Sequence, residues 1–354
     1  MGNWILLFIF ASEMKIVVDD KIPYIRETLE MLADEVVYLK GSDIGPEDVK
    51  DADALIVRTR THCDEQLLKG SKVQFVATAT IGYDHLDTAW LEQNHIAWTN
   101  CPGCNAGSVA QYIESVLLNL KPRTSNLKSP LTLGVVGCGH VGSKVCRVGE
   151  RLGMRVLVND PPLEKEIMRK SHDETNTYPF VSLETIEQEA DIITFHVPLD
   201  ETTHYLADKS FFQRLKKKPV IINSSRGGVV DEQALLQALE DGTVSQAVID
   251  TWEGEPDISR TLLNKTFIGT PHIAGYSADG KVNADNMVIE ALCRHFSLAL
   301  PPKIEPPKLH EGFSYTGSPL ELYNAMNDSR KLKTRPESFE DLRGNYPLRR
   351  EKFN

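Results

Sequence analysis

The sequence predicts an α/β protein whose two or three domains are built mainly on parallel β-sheets. The chain has 354 residues, 41% of them hydrophobic and 25% charged, so it holds enough apolar mass for two cores. Short apolar, β-rich runs alternate with segments whose apolar residues recur at helical spacing. Strands buried on both faces and separated by helices form parallel sheets. This composition excludes disorder as the overall state, and it excludes a small disulfide-stapled scaffold.

The net charge of the protein is acidic. The sequence contains 39 Lys and Arg against 50 Asp and Glu, which gives a formal charge of −11. Such a balance argues against binding of nucleic acid or of an anionic membrane through the overall charge. If the substrate is an anion, the positive charge that binds it must therefore be local.

Residues 1–13 precede the first predicted strand and contain a short apolar run, Trp4 to Phe10. Seven residues are too few to span a bilayer, and no Lys or Arg comes before them. We interpret residues 1–13 as an N-terminal extension, with a signal peptide as the less favoured alternative. The protein is expected in the cytoplasm, with no membrane segment.

The first series of elements runs from residue 15 to residue 100. Its predicted strands are residues 16–18, 36–39, 54–57, 75–77 and 96–98. A longer helix is predicted at 108–120, and a proline-bounded break follows at 121–130.

A second series begins at residue 131. Its predicted strands are residues 133–136, 156–158, 192–195, 220–222, 247–249 and 267–268. About six strands with intervening helices suit a complete dinucleotide-binding fold. A further helix is predicted at 287–300, before a proline-rich linker and a polar segment that extends to residue 354.

Cys101 and Cys104 form a Cys-Pro-Gly-Cys motif with the spacing of a redox or metal site. The chain contains no second such motif and no neighbouring His pair that would complete a zinc site. We therefore favour a structural turn over the redox or metal alternative, and no metal is expected.

The strongest local motif is the run from Gly137 to Gly142, Gly-Cys-Gly-His-Val-Gly, between a predicted strand and a predicted helix. In this context Gly137 permits a tight turn, Gly139 lets a pyrophosphate approach the backbone, and Gly142 lets helix and strand pack closely. The N–H groups at the helix start, with His140 and Val141, are expected to bind the cofactor. A P-loop is rejected because Ser and Lys follow Gly142 in reversed order.

Asp160 stands at the predicted end of the next strand. A carboxylate there can accept hydrogen bonds from the adenosine ribose and would repel a 2′-phosphate. The sequence therefore predicts binding of NAD in preference to NADP.

Three loops, residues 223–228, 250–256 and 270–276, follow predicted strand ends, where open α/β sheets bind their ligands. His272 would exchange the proton of a reacting hydroxyl, and Glu255 would orient the imidazole and favour its charged form. Arg226 would bind a carboxylate beside the reacting carbon. Ser224 and Ser225, in the first loop, are expected to contact the cofactor. The combination predicts hydride transfer at an alcohol carbon.

These motifs together resemble the D-isomer-specific 2-hydroxyacid dehydrogenases. The resemblance rests on the glycine motif with Asp160 and on residues 225–231, 252–256 and 270–274, and it extends from Met14 to the end of the chain. It assigns the family's Arg, Glu and His triad to Arg226, Glu255 and His272. It further implies cofactor contacts at Asp160, Thr194, Asp250 and Gly275, and substrate contacts at Thr59, Thr80 and Tyr276.

The resemblance also implies a domain organisation. A Rossmann-type NAD-binding domain, residues 107–276, would be inserted into a flavodoxin-like substrate-binding domain formed by residues 14–106 and 277–300. Residues 301–354 would form a small C-terminal domain that makes a homodimer.

A small phosphorylated hydroxyacid is the implied substrate, and it needs several cations. Arg58 beside Thr59 is the best candidate, and Arg343, Arg349 and Arg350 are further ones. These last three could equally form surface ion pairs. Two functional alternatives stay open, namely a dehydrogenase of phosphoglycerate or glycerate, and an NAD-sensing binding protein without catalysis.

Overall fold

The computed structural model describes residues 13–120, 130–170 and 179–353. This part of the chain forms two compact units. The first consists of residues 13–104 and 281–306, and the second of residues 105–280 and 307–353. Nearly all of the proposed N-terminal extension and most of the predicted break at 121–130 lie outside the described residues.

The first unit contains a five-stranded sheet whose strands are all parallel. Its strands are β1 (Lys15–Asp19), β2 (Glu35–Leu39), β3 (Ala54–Val57), β4 (Phe75–Thr78) and β5 (Ala97–Thr99). Its short helices are α1 (Arg26–Leu32), α2 (Pro46–Val49), α3 (Glu65–Leu68) and α4 (Thr88–Gln93). The strand order β2-β1-β3-β4-β5 is that of flavodoxin-like folds. Every residue of β3 and β4 is buried, as a sheet covered on both faces requires.

The second unit contains a six-stranded parallel sheet in the order β11-β10-β9-β8-β6-β7. The strands are β6 (Thr132–Val136), β7 (Arg155–Asn159), β8 (Ile192–Phe195), β9 (Val220–Asn223), β10 (Gln246–Ile249) and β11 (Ile268–Gly269). The helices are α5 (Ala106–Leu120), α6 (Gly142–Arg151), α7 (Pro161–Lys170), α8 (Leu183–Glu189), α9 (Lys209–Arg214), α10 (Glu232–Glu240) and α11 (Arg260–Lys265). The order reverses between β6 and β8, where doubly wound sheets bind their ligands. The predicted parallel α/β class is confirmed.

Side-chain caps fix where several helices of the second unit begin. Asp208 accepts a hydrogen bond from the Phe211 amide at the start of α9. Asp231 accepts two, from Gln233 and Ala234, at the start of α10. Such caps satisfy amides that have no partner inside the helix. They also set where the loops after β8 and β9 end, and those loops carry site residues.

Helix α12 (Ala278–Phe296) begins and ends earlier than the predicted helix at 287–300. Its first two turns include Gly280 and several polar residues, which conceal the helical pattern in the sequence. Its end is set by Ser297, which adopts a φ of +55° and so leaves the right-handed helical region.

The C-terminal segment forms three short helices, α13 (Pro319–Leu322), α14 (Ala325–Thr334) and α15 (Phe339–Gly344). Leu332 and Phe339 are buried in the core on one face of the six-stranded sheet, and Tyr323 and Ala325 in the core on the other. The segment is therefore part of the hydrophobic core of the second unit. Its role in dimerisation and the predicted domain boundaries stay predictions.

The six cysteines are buried free thiols. The Cys101 thiol donates to the carbonyls of Thr78 and Ala284 at 3.4 Å, and burial raises its pKa. Both contacts fit a structural turn. Across residues 13–120, 130–170 and 179–353, no group of three or more His, Cys, Asp or Glu side chains is arranged to hold a metal ion. Over the same ranges, no helix is both long enough and apolar enough to cross a membrane.

Candidate active site

The glycine motif forms a tight loop between β6 and α6 in the second unit. Gly137 has a φ of +87°, and a Cβ there would come within 2.5 Å of the carbonyl oxygen of His196. A Cβ on Gly142 would collide with the Gly137 carbonyl. A Cβ on Gly139, by contrast, would meet no atom of the described chain within 4 Å. The backbone is therefore tightly packed at Gly137 and Gly142, while space remains beside Gly139. That space suits the approach of a pyrophosphate.

Asp160 follows β7 and is hydrogen-bonded to the glycine loop. Its Oδ2 accepts from the Cys138 amide at 2.7 Å, and its Oδ1 accepts from the Leu163 amide at 2.9 Å. The Asp160 carboxylate is therefore held in a fixed orientation beside the loop.

His140 is exposed and Val141 is partly exposed, and both precede the first turn of α6.

Asp250, at the end of β10, organises the loop that carries His272. Its carboxylate is buried and accepts from the amides of Ile273 and Ala274 at 2.9 Å and from the Thr270 hydroxyl at 2.6 Å. Burial raises the pKa of Asp250, against the opposing effect of the His272 charge and these hydrogen bonds. Its visible role is structural, and the expected cofactor contact stays a prediction.

His272 and Glu255 form the hydrogen-bonded pair that the sequence predicts. The Nδ1 atom of His272 lies 2.8 Å from Oε2 of Glu255 and 3.1 Å from Oε1, which also accepts from the Trp252 amide at 2.9 Å. Burial opposes ionisation of Glu255, yet the hydrogen bond and charge of His272, the Trp252 amide and Arg343 together lower its pKa. An ionised carboxylate at Nδ1 leaves Nε2 as the nitrogen that can exchange a proton with a ligand.

Arg226 follows β9 in a loop held by Asn223. The Asn223 side chain accepts from the Ser225 amide and hydroxyl and donates to the Arg226 carbonyl at 2.8 Å. A Cβ on Gly227 would collide with the Trp252 carbonyl, so the Arg226 loop packs directly against the loop of Glu255. The side chain of Arg226 is partly exposed, and its Nη1 donates to the Ser225 carbonyl at 2.8 Å.

Three buried polar atoms near these loops have no hydrogen-bond partner within the described part of the chain. They are Ser224 Oγ, Thr251 Oγ1 and Asn105 Oδ1. A Cβ on Gly275 would collide with the Asn105 amide, so Asn105 lies beside the loop of His272. Buried polar atoms are rarely left unpaired, so these three atoms are candidates for contacts with a ligand. Sequence reasoning missed Asn105 and Thr251, because an isolated Asn or Thr beside a strand or helix end carries no distinctive signal.

Thr194 lies within β8 and is fully buried. Its hydroxyl is 2.9 Å from Nε2 of His196, and burial lowers the pKa of His196 to about 3. The neutral imidazole therefore supports the loop after β8. The expected cofactor contact of Thr194 stays a prediction.

The predicted substrate residues are divided between the two units. Arg58 and Thr59 follow β3, and Thr80 follows the neighbouring parallel strand β4, so all three lie at one edge of the first unit's sheet. Arg58 donates to the Lys21 carbonyl at 3.3 Å, and the Thr80 hydroxyl donates to the Gly82 carbonyl at 2.8 Å. Tyr276 and all predicted catalytic and cofactor residues belong to the second unit.

The chain is similar to known proteins over most of its length. The family described as "D-isomer specific 2-hydroxyacid dehydrogenase, NAD binding domain" matches residues 119–274. An erythronate-4-phosphate dehydrogenase of Bacteroides thetaiotaomicron is 53% identical over 346 residues, covering 96% of this chain and 97% of the relative. One of Porphyromonas gingivalis is 38% identical over 354 residues, covering 96% of this chain and 94% of the relative.

Solved structures show the same fold at low sequence identity. D-lactate dehydrogenase from Aquifex aeolicus, complexed with NAD and lactic acid, superposes with a TM-score of 0.63 at 23% identity, covering 80% of this chain and 95% of that one. D-mandelate dehydrogenase of Rhodotorula graminis gives a TM-score of 0.65 at 21% identity, covering 84% of this chain and 99% of that one.

Fold and sequence thus define the class, that of the D-isomer-specific 2-hydroxyacid dehydrogenases, and the resemblance stated from the motifs is confirmed. Within this class the chain belongs to the family of erythronate-4-phosphate dehydrogenases.

Proposed function

We propose that the protein oxidises 4-phospho-D-erythronate at the C2 hydroxyl to 2-oxo-3-hydroxy-4-phosphobutanoate, with NAD as the acceptor. The reaction belongs to the biosynthesis of pyridoxal 5′-phosphate, vitamin B6. The observation that carries this proposal is the 53% identity to a relative of that name over 96% of the chain. We further propose that the enzyme is a cytoplasmic homodimer.

The residues of the second unit fit NAD. The backbone at Gly139 is open, α6 begins beside it, and Asp160 is fixed with its carboxylate at the end of β7. The buried oxygens of Ser224, Thr251 and Asn105 still lack partners among the described residues, as polar atoms that meet a ligand do. The glycine loop and Asp160 would hold the pyrophosphate and the adenosine ribose.

The proton chemistry falls to His272. Its Nε2 takes the proton from the C2 hydroxyl, and the ionised Glu255 at Nδ1 stabilises the imidazolium that forms. Held by the glycine loop and Asp160, NAD would supply the acceptor for the hydride that leaves C2. Arg226 binds the carboxylate next to that carbon and stabilises the carbonyl oxygen as it forms.

The phosphate of the substrate requires further positive charge. Arg58 follows β3, and its charge together with burial lowers the pKa of Lys281, with burial the larger cause. The positive charge of Arg58 lowers the affinity of Lys281 for a proton, and an anion bound beside both cations would offset that effect. We therefore include Lys281 with Arg58, Thr59 and Thr80 among the residues of the first unit that are proposed to bind the substrate.

The direct test is NADH formation by the purified protein with 4-phospho-D-erythronate, compared with D-erythronate, phosphoglycerate and glycerate. We expect the highest kcat/KM with 4-phospho-D-erythronate and a loss of at least tenfold without the phosphate. A preference for phosphoglycerate or glycerate would support the alternative dehydrogenase. NAD binding without NADH formation from any of the four acids would support a sensor.

A further inference from the structure

Arg343 of α15 lies beside the catalytic pair although it is far from it in sequence. Its Nη1 is 3.9 Å from Oε2 of Glu255 and 3.1 Å from the carboxylate of Glu340. Its guanidinium also hydrogen-bonds to the Tyr276 side chain. The side chain is only 23% exposed, so water screens its charge only partly.

The surroundings keep Arg343 charged and in place. Burial disfavours the charged guanidinium, but Tyr276, Glu255 and Glu340 together raise its pKa above the usual value. Its guanidinium also lies over the ring of Phe339, 5.8 Å from the ring centroid. Its Nε is buried and has no partner within the described chain, so the Nη groups make the contacts that orient it.

We propose that Arg343 is a positioning residue of the active site, which holds Glu255 and Tyr276 in place and so acts on the proton transfer at His272. This proposal deepens the proposed function, because it concerns the same proton transfer. The positive charge beside Glu255 opposes the addition of a second positive charge on the neighbouring imidazole.

Other charged groups face the pair and determine the direction of the effect. Asp250 interacts electrostatically with His272, and Glu232 with Glu255. Both are carboxylic groups, and when ionised they favour a charged imidazole. Among the groups that the structure places beside Glu255, Arg343 is the cation that acts in the opposite sense.

The test is a pH titration of the His272 imidazole by NMR in the full-length protein labelled at histidine nitrogen, with His272→Ala to assign the signal. In Arg343→Gln we expect the titration midpoint to move to higher pH by about 0.5 to 1 unit. That is the size of effect expected from one charge a few ångströms away at a high effective dielectric constant. Arg343→Lys keeps the positive charge, so its titration midpoint should stay close to that of the wild-type protein. Arg330→Gln, an exposed position on α14, removes the same charge as a matched control.

In turnover assays the acidic limb of the kcat/KM profile for hydroxyacid oxidation should move in the same direction in Arg343→Gln. An unchanged NMR midpoint in Arg343→Gln, or an equal shift in Arg330→Gln, would overturn the proposal. The NMR readout needs no substrate. If the wild-type protein fails to oxidise 4-phospho-D-erythronate, that result rejects the proposed function and leaves the titration to decide the role of Arg343.

Discussion

The guanidinium of Arg349 donates a hydrogen bond to the carbonyl of Ile273 at 3.2 Å, one residue beyond His272, the proposed acid–base residue. The same Nη1 donates to the Ala274 carbonyl at 3.2 Å, while the amides of Ile273 and Ala274 donate to Asp250. The peptide groups after His272 are thus held between a buried cation and a buried carboxylate. This arrangement keeps His272 at a φ of +54°, a conformation that few residues other than glycine adopt.

Arg349→Met should therefore impair both stability and catalysis. Arg349 is 4% exposed and also donates to the Ser108 carbonyl and the Gln111 side chain, so the substitution leaves several buried acceptors unpaired. We expect a loss of about 2–4 kcal/mol in the free energy of unfolding, measured in urea. Turnover of the remaining folded protein should fall more than its NAD affinity. Arg335→Met, at an exposed position, is the control and should change neither.

His272→Ala should leave NAD binding near normal and lower kcat by a factor of about 10² to 10⁴, the usual contribution of a general acid–base group. Glu255→Gln should also lower kcat, because the amide does not stabilise an imidazolium as a carboxylate does. Steady-state kinetics with calorimetric NAD binding would measure both effects. A wild-type kcat in His272→Ala would remove this residue from the mechanism.

Asp160→Ala should narrow the preference for NAD over NADP. The substitution removes the carboxylate that is predicted to repel a 2′-phosphate, and it also removes the acceptor of the Cys138 and Leu163 amides. We therefore expect a weaker affinity for NAD as well, measured by titration with each cofactor. Asp241→Asn, at an exposed position at the end of α10, controls for the change in net charge. Equal use of both cofactors by the wild-type enzyme would contradict the predicted role of Asp160.

The stability of the protein should depend on the ionisation of Glu232. Burial is the main cause that raises the pKa of this carboxyl group to about 7, from a reference value of 4.5. The folded state therefore binds its proton more tightly than the unfolded state, and stability falls as the pH rises from about 4.5 to about 7. Glu232→Gln keeps the acceptor for the Glu253 amide and cannot ionise. Denaturation should show the free energy of unfolding of the wild-type protein fall by on the order of 2 kcal/mol across this pH range, and the variant should lack this decline. Parallel curves of unfolding free energy against pH for the two proteins would contradict the prediction.

Local patterns were sufficient to predict the parts of the site that depend on short sequence motifs. The glycine loop, Asp160 and the contact of His272 with Glu255 all follow strand ends that the apolar runs made visible. The side chains of Arg343, Arg349 and Arg350 could not be placed, because sequence shows their charge but not their burial. Arg349 and Arg350 are buried, where the sequence allowed surface ion pairs or substrate contacts. Long-range contacts with no periodic signal determine such positions.

The buried Arg349 also has a consequence for the order of synthesis. The ribosome makes Arg349 after Asp250 and after the loop of His272, both of which come earlier in the chain. During translation, Asp250 is therefore present well before Arg349, and Arg349 is the second of the two residues that hold the peptide groups of this loop. A nascent chain therefore contains every strand of both sheets before Arg349 is available to the loop of His272. Chains interrupted before residue 349 should consequently be both less stable and less active than the full-length protein.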